Sequence, residues 1–180
     1  MKRLLILIIS CLCFTQAFCD DHLKFLGFPI DGTVNEYASK IKSKGFYVSP
    51  DNVYARKGLR IMEGPFLGKT RKIGLHYNED TKIIYNVTLV VEKFLFEKDA
   101  KVLYDKLESL LHEKYPNATF NPSAEVERTI FSCSFKGKEG IICLGIFDER
   151  TEYRVKMSYT DRINYIPIYE KEHQDALDDL

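Results

Sequence analysis

Six runs of strand-like sequence lie between residues 59 and 159, joined within each half of the chain by turns too short for a crossover, so the sheet they form is antiparallel. The first three runs are 59–63, 72–77 and 82–93. The second three are 127–136, 140–148 and 152–159. In the third run Tyr85, Val87, Leu89 and Val91 alternate with Asn86, Thr88 and Val90, the period-two pattern of a half-buried strand. Asn78-Glu79-Asp80 supplies the turn before it. In the last run Tyr153, Val155, Met157 and Tyr159 alternate with Arg154, Lys156, Ser158 and Thr160. Between Cys143 and its neighbours the alternation disappears: Ile142, Leu144 and Ile146 are apolar, and so are Ile141 and Phe147, so this strand needs cover on both faces.

A helix precedes each run of three. The first is specified locally over residues 33–44. Thr33 with Glu36 forms a capping box, and Val34, Tyr37, Ala38 and Ile41 fall on one apolar stripe. Lys40, Lys42 and Lys44 favour the C-terminal end of the helix dipole, and Gly45 permits the left-handed residue that ends it. The second helix, 99–115, carries Leu103, Leu107, Leu110 and Leu111 and stops before Pro116. The resulting expectation is an α+β protein of two α-β-β-β units, 20–95 and 96–169, with antiparallel sheet and both helices packed on one face. In 162–169 Pro167 argues against a regular helix, so that segment is expected to cross the sheet or form an edge. Residues 170–180 read as an acidic tail, frayed or disordered.

At the N-terminus Lys2-Arg3, the apolar stretch 4–14 and Ala17 have the arrangement of a secretory signal peptide over residues 1–19. The apolar stretch is short for a membrane span, and no later one replaces it, so a transmembrane segment is not expected. Ile8-Ile9-Ser10-Cys11 also has the form of a lipobox, which would leave the chain lipid-anchored through Cys11. The protein is therefore expected to be exported, periplasmic or extracellular. With 45% hydrophobic and 29% charged residues the composition is globular, and a formal net charge of zero provides no field for nucleic acid.

The stretch from Asp21-His22-Leu23-Lys24-Phe25 through Asp31-Gly32-Thr33, behind a signal peptide and leading into a helix that ends Lys44-Gly45-Phe46, resembles the start of small exported bacterial proteins. The doubled helix-then-sheet order is similar to tandem β-lactamase-inhibitor-like α+β units. What that similarity implies is a sheet face offered to a partner protein; it implies no particular site residues.

Catalytic motifs are absent from the sequence: there is no glycine-rich phosphate loop, no nucleophile elbow and no paired CxxC. His22, His76, His112 and His173 are scattered, and His76 reads as a solvent-facing strand residue. The sequons at Asn86 and Asn117 read as incidental. The reading that follows is a non-catalytic binding module of the bacterial cell envelope, acting on another protein or envelope component without a cofactor. An extracytoplasmic hydrolase is the alternative. Partner contacts are expected on the face opposite the helices, from Tyr153, Tyr159 and Tyr165 or from their neighbours Arg154 and Lys156. If Phe135 pairs with Ile141, Cys133 lies opposite Cys143, which permits a cross-strand disulfide or a pair of buried thiols. Cleavage before Asp20 would further allow the new amine, two amides and His22 to form a square-planar Cu(II) or Ni(II) site.

Overall fold

The computed structural model describes residues 22–123 and 128–178, so the expected signal peptide and the Asp20-Asp21 part of the expected metal motif lie outside the described residues. The fold is α+β. A small two-stranded ribbon of β1 (Lys24–Phe25) and β2 (Phe28–Pro29) opens the chain. Helix α1 (Val34–Lys42) follows, with Thr33 and Glu36 closing the expected capping box: the Thr33 amide donates to Glu36 Oε2 at 2.7 Å and the Glu36 amide to Thr33 Oγ1 at 3.3 Å. Val34, Tyr37, Ala38 and Ile41 are its buried residues, the stripe that the spacing specifies.

Next come β3 (Tyr47–Val48), a short 3-10 turn at Pro50–Tyr54, then β4 (Leu59–Phe66), β5 (Lys69–Tyr77) and β6 (Ile84–Phe94). Helix α2 (Glu97–Lys114) leads into β7 (Thr119–Ser123), β8 (Thr129–Lys136), β9 (Gly140–Asp148) and β10 (Tyr153–Asp161). The eight strands β3 to β10 form one antiparallel sheet in the order β3-β4-β5-β6-β10-β9-β8-β7. Residues before and after 95 thus share a single sheet, joined where β6 pairs with β10, and a single core.

Both helices cover the same face. Register places Met62, Ile73, Leu89, Met157, Leu144 and Cys133 in one cross-strand row, and all six are buried. Phe46, after α1, lies over Gly64 on this face, and Tyr104 of α2 packs its ring 6.2 Å from that of Phe131. In α2 the buried residues are Ala100, Tyr104, Leu107 and Leu111; Leu110, expected in the stripe, is 46% exposed. Tyr104 takes an inward position one turn before Leu107.

The expectation for the C-terminal segment is overturned. Residues Arg162–Asp178 form one helix, α3, running through Pro167 and through the stretch expected to fray. Pro167 cannot donate to the Ile163 carbonyl, but both residues lie on the exposed side, where water can take the freed acceptor. The start of α3 is fixed by Asp161, a fully buried carboxylate whose Oδ1 accepts from the Asn164 amide at 3.0 Å. No helix among the described residues is long and apolar enough to cross a membrane.

Candidate functional site

Side chains alternate across a strand, so the row next to the buried one faces away from α1 and α2. It reads Ile61, Gly74, Thr88, Ser158, Cys143 and Ser134, crossing six strands. Five of these six residues are small. Five strand spacings of about 4.8 Å give a floor roughly 24 Å long, running across the strands. On one side of it the next row on the same face is His76, Asn86, Thr160 and Ile141. On the other side Val90 and Lys156, with Lys72 and Phe147 at the two ends, form a wall. The missing side chain at Gly74 and the short ones beside it therefore leave a trough of about 440 Å³.

Polar groups along the trough are largely engaged. Lys156 donates to Glu149 at 2.6 Å while its ammonium sits 4.4 Å above the Phe147 ring. Lys72 is bonded to Asp51, which raises its pKa. Asn86 donates to Thr160 Oγ1 at 2.7 Å, so its amide is occupied within the sheet. His76 is half-buried rather than solvent-facing, and its Nε2 lies 2.9 Å from Thr88 Oγ1. Burial, with the charge of Arg56 as a smaller cause, lowers its pKa. Beyond His76 a polar hollow is lined by Arg56, Tyr85 and Glu172.

The five residues expected at a binding face are divided by the structure. Arg154 and Lys156 stand on the face away from α1 and α2, with Arg154 held by Glu152 at 2.5 Å. Tyr159 is buried on the helix side with its ring 5.1 Å from Phe25, and Tyr153 packs against the same core. Tyr165 belongs to α3, its ring tilted against those of Tyr85 at 5.9 Å and Tyr169 at 6.2 Å. The tyrosines follow the apolar parity of β10, which serves the core. What sequence reasoning missed is the floor: the small residues Gly74, Thr88, Ser158 and Cys143 carry no local signal, and only register brings them into line.

Neither the cross-strand disulfide nor a pair of buried thiols is present. Cys133 and Cys143 are both free. Phe135 pairs with Ile142, not Ile141, so the hairpin is offset by one residue from the expected register. Such a slip exchanges faces. Cys133 is buried beneath α2, where burial pushes its thiol up to about 11, and Cys143 is exposed on the trough floor. Burial also raises the Cys143 pKa, partly opposed by a hydrogen bond with Ser158. In a chain beginning at Asp20, maleimide is expected to label Cys143 in the folded state and Cys133 only on unfolding. Because the Cys143 pKa is raised, its labelling rate should keep climbing as pH passes the ordinary thiol range, where a typical cysteine has levelled off. Equal, slow labelling of both thiols would contradict the register.

At His22 the ring Nδ1 lies 3.1 Å from Asp161 Oδ1, and the next amide, that of Leu23, donates to Asp161 Oδ2 at 2.8 Å. The Nδ1 atom that a Cu(II) or Ni(II) chelate would need is thus committed to a buried carboxylate. Among the described residues, no group of three or more His, Cys, Asp or Glu side chains is placed to hold a metal ion. In comparisons with known proteins the chain matches no family model, no curated protein and no solved structure.

Proposed function

We propose that the protein is an exported, non-catalytic binding module of the bacterial cell envelope, built from two helix-plus-antiparallel-strand units, which holds a partner protein on the sheet face away from α1 and α2. The observation that carries this reading is the trough. Most sheets that face water on one side present mixed polar side chains there. Here a row of small residues runs between Ile61, Val90 and Phe147, so apolar surface is concave and accessible while the charged groups are paired at its rim. Apolar side chains of a partner would fill the floor and desolvate it, and the paired lysines would form the polar edge.

The test is occlusion of the floor. A partner is captured from envelope fractions with the mature protein as bait, and its affinity is measured for the protein, for Ser158→Trp and for Asn35→Trp. Asn35 is exposed on α1, on the other side of the molecule. Ser158→Trp is expected to lower affinity at least about tenfold, since it fills the groove and displaces a well-packed anchor. Asn35→Trp should have no effect, and bound partner should protect Cys143 from maleimide. An affinity unchanged by Ser158→Trp overturns the proposal.

A second reading, an extracytoplasmic hydrolase, is favoured by one contact. The 2.9 Å separation of His76 Nε2 and Thr88 Oγ1 is a base-to-nucleophile distance at the edge of a polar hollow. Its test is hydrolysis of chromogenic esters and peptides: activity lost in both Thr88→Val and His76→Gln, with folding intact, would replace the binding reading.

A further inference from the structure

We propose that a separate crevice, between α2 and the β4–β5 hairpin, binds a soluble single-chain amphiphile with an anionic head. It lies on the helix-covered side of the sheet, away from the trough, and encloses about 380 Å³, a size that suits a small molecule.

Three observations converge there. The first is electrostatic. Lys69, Arg71 and Lys106 line the crevice with a single carboxylate, Glu92, so three cations face one anion. Lys69 and Arg71 both bond the same Glu92 oxygen, Arg71 through Nη2 at 2.6 Å. That carboxylate is held below its ordinary pKa, chiefly by the hydrogen bond from Lys69, so it is ionised.

The second is an orphan donor. The Arg71 side chain is only 18% exposed, its Nη1 reaches the Thr70 carbonyl at a long 3.5 Å, and its buried Nε has no hydrogen-bond partner among the described residues. A buried unpaired N–H is costly and calls for an explanation. A guanidinium with unused donors is suited to gripping an oxyanion with two parallel bonds once it turns toward the crevice.

The third is conformational. Phe66 pairs with Lys69, leaving Leu67-Gly68 as a two-residue turn with φ of 49° and 75°. Such a turn is ordinarily built on Asn-Gly, because a bulky residue at positive φ is strained. Leu67 is nevertheless there, 57% exposed, on the rim of the same crevice as Leu110, which is 46% exposed. Stability would favour asparagine at this position. A strained, exposed leucine beside an apolar wall of Val91, Phe94 and Leu107 is explained by contact with an alkyl chain. The head is then placed at Arg71 and the tail between Leu67, Leu110 and Phe94.

Calorimetric titration with decanoate tests the assignment, using decanol and decyltrimethylammonium as matched tails with neutral and cationic heads. Decanoate is expected to bind, with the other two at least about tenfold weaker, the discrimination that one charge-assisted hydrogen-bonded pair supplies. Arg71→Gln should lose about the same factor, and Glu92→Gln, which releases Arg71 from its competitor, should bind decanoate more tightly. Leu67→Asn should raise Tm by about 2–4 °C by relieving the turn, while weakening decanoate several-fold. Vesicles of phosphatidylglycerol serve as a control, since the crevice has no room for two acyl chains, and they are expected not to retain the protein. Equal affinity for decanoate and decanol overturns the proposal. So does no binding of decanoate, a Glu92→Gln variant that binds more weakly, or vesicle retention abolished by Arg71→Gln.

Discussion

Asp161→Ala is expected to lower folding stability by about 3 kcal/mol or more, among the largest effects available to a single side chain in this protein. Asp161 is completely buried, and its two oxygens accept three hydrogen bonds from two ends of the chain. Oδ2 takes the amide of Leu23, and Oδ1 takes the Asn164 amide together with the His22 ring. Removing the carboxylate leaves the Leu23 N–H unpaired and uncaps α3 in the same step. Each loss costs about 1–3 kcal/mol when the group is buried. Asn164 adds a second tie, its Nδ2 donating to the Ile30 and Ile84 carbonyls at 2.9 and 3.0 Å. The N-terminal ribbon, β6 and α3 are therefore held at one point. Denaturant unfolding should show a lower midpoint for Asp161→Ala, and hydrogen exchange should accelerate first at Leu23 and Asn164. Asp161→Asn, which keeps one acceptor but turns an NH2 toward a donor, should fall between. A midpoint within experimental error of the parent would show that the latch contributes nothing.

The parts of this fold that were legible in the sequence are the parts whose causes are local. Thr33 and Glu36 bond each other three residues apart, and the α1 stripe depends only on a helical period, so both could be read directly. The alternation in β6 and β10 likewise marked both as half-buried strands, because an antiparallel strand with one covered face has a period of two, though it left open which side of β10 is covered. The α3 helix was hidden by Pro167: a rule that holds for buried helices gives way on a surface where water can satisfy the freed carbonyl. The signal that would have found it was present, since Asp161 stands three residues before Asn164 as a helix N-cap ahead of an apolar run.

The candidate face was harder, because it is a product of register. Nothing in the neighbourhood of Gly74 in sequence says that it will lie beside Thr88, or that Thr88 will lie beside Ser158. The cysteines illustrate the sensitivity. A pairing of Phe135 with Ile141 would place two thiols face to face, whereas the pairing with Ile142 puts one in the core and one on the trough floor. Tyrosines drew attention through their chemistry, but strand parity assigned Tyr153 and Tyr159 to packing and left Arg154 and Lys156 on the open face. Charge was equally uninformative in one dimension: Arg71 and Glu92 are 21 residues apart, and only the sheet makes them neighbours.

Gly140→Ala is expected to be as damaging as loss of Asp161, for a steric rather than an electrostatic reason. A Cβ built on Gly140 would lie 2.1 Å from the Thr160 carbonyl oxygen, with the Thr160 carbonyl carbon at 3.2 Å and the Arg162 nitrogen at 3.3 Å. All three are backbone atoms, so no side-chain rotation can make room. The position is also braced from both sides. The Gly140 carbonyl accepts from Gly137 at 2.9 Å to close the β8–β9 turn, and the Arg162 amide donates to Glu139 at 3.0 Å. The strand pair β9–β10 would have to separate beside the buried Asp161, costing about 3 kcal/mol, the upper end for overpacking a rigid site. Gly137→Ala, three residues earlier, supplies the contrast. Its nearest neighbour would be the Glu139 carboxylate oxygen at 3.1 Å, the end of a flexible side chain. That variant should melt within about 1–2 °C of the parent, because the Glu139 side chain can move aside at little cost. Thermal melts of the two alanine variants decide the matter: a Gly140→Ala protein as stable as Gly137→Ala would mean that β9 and the end of β10 do not approach so closely.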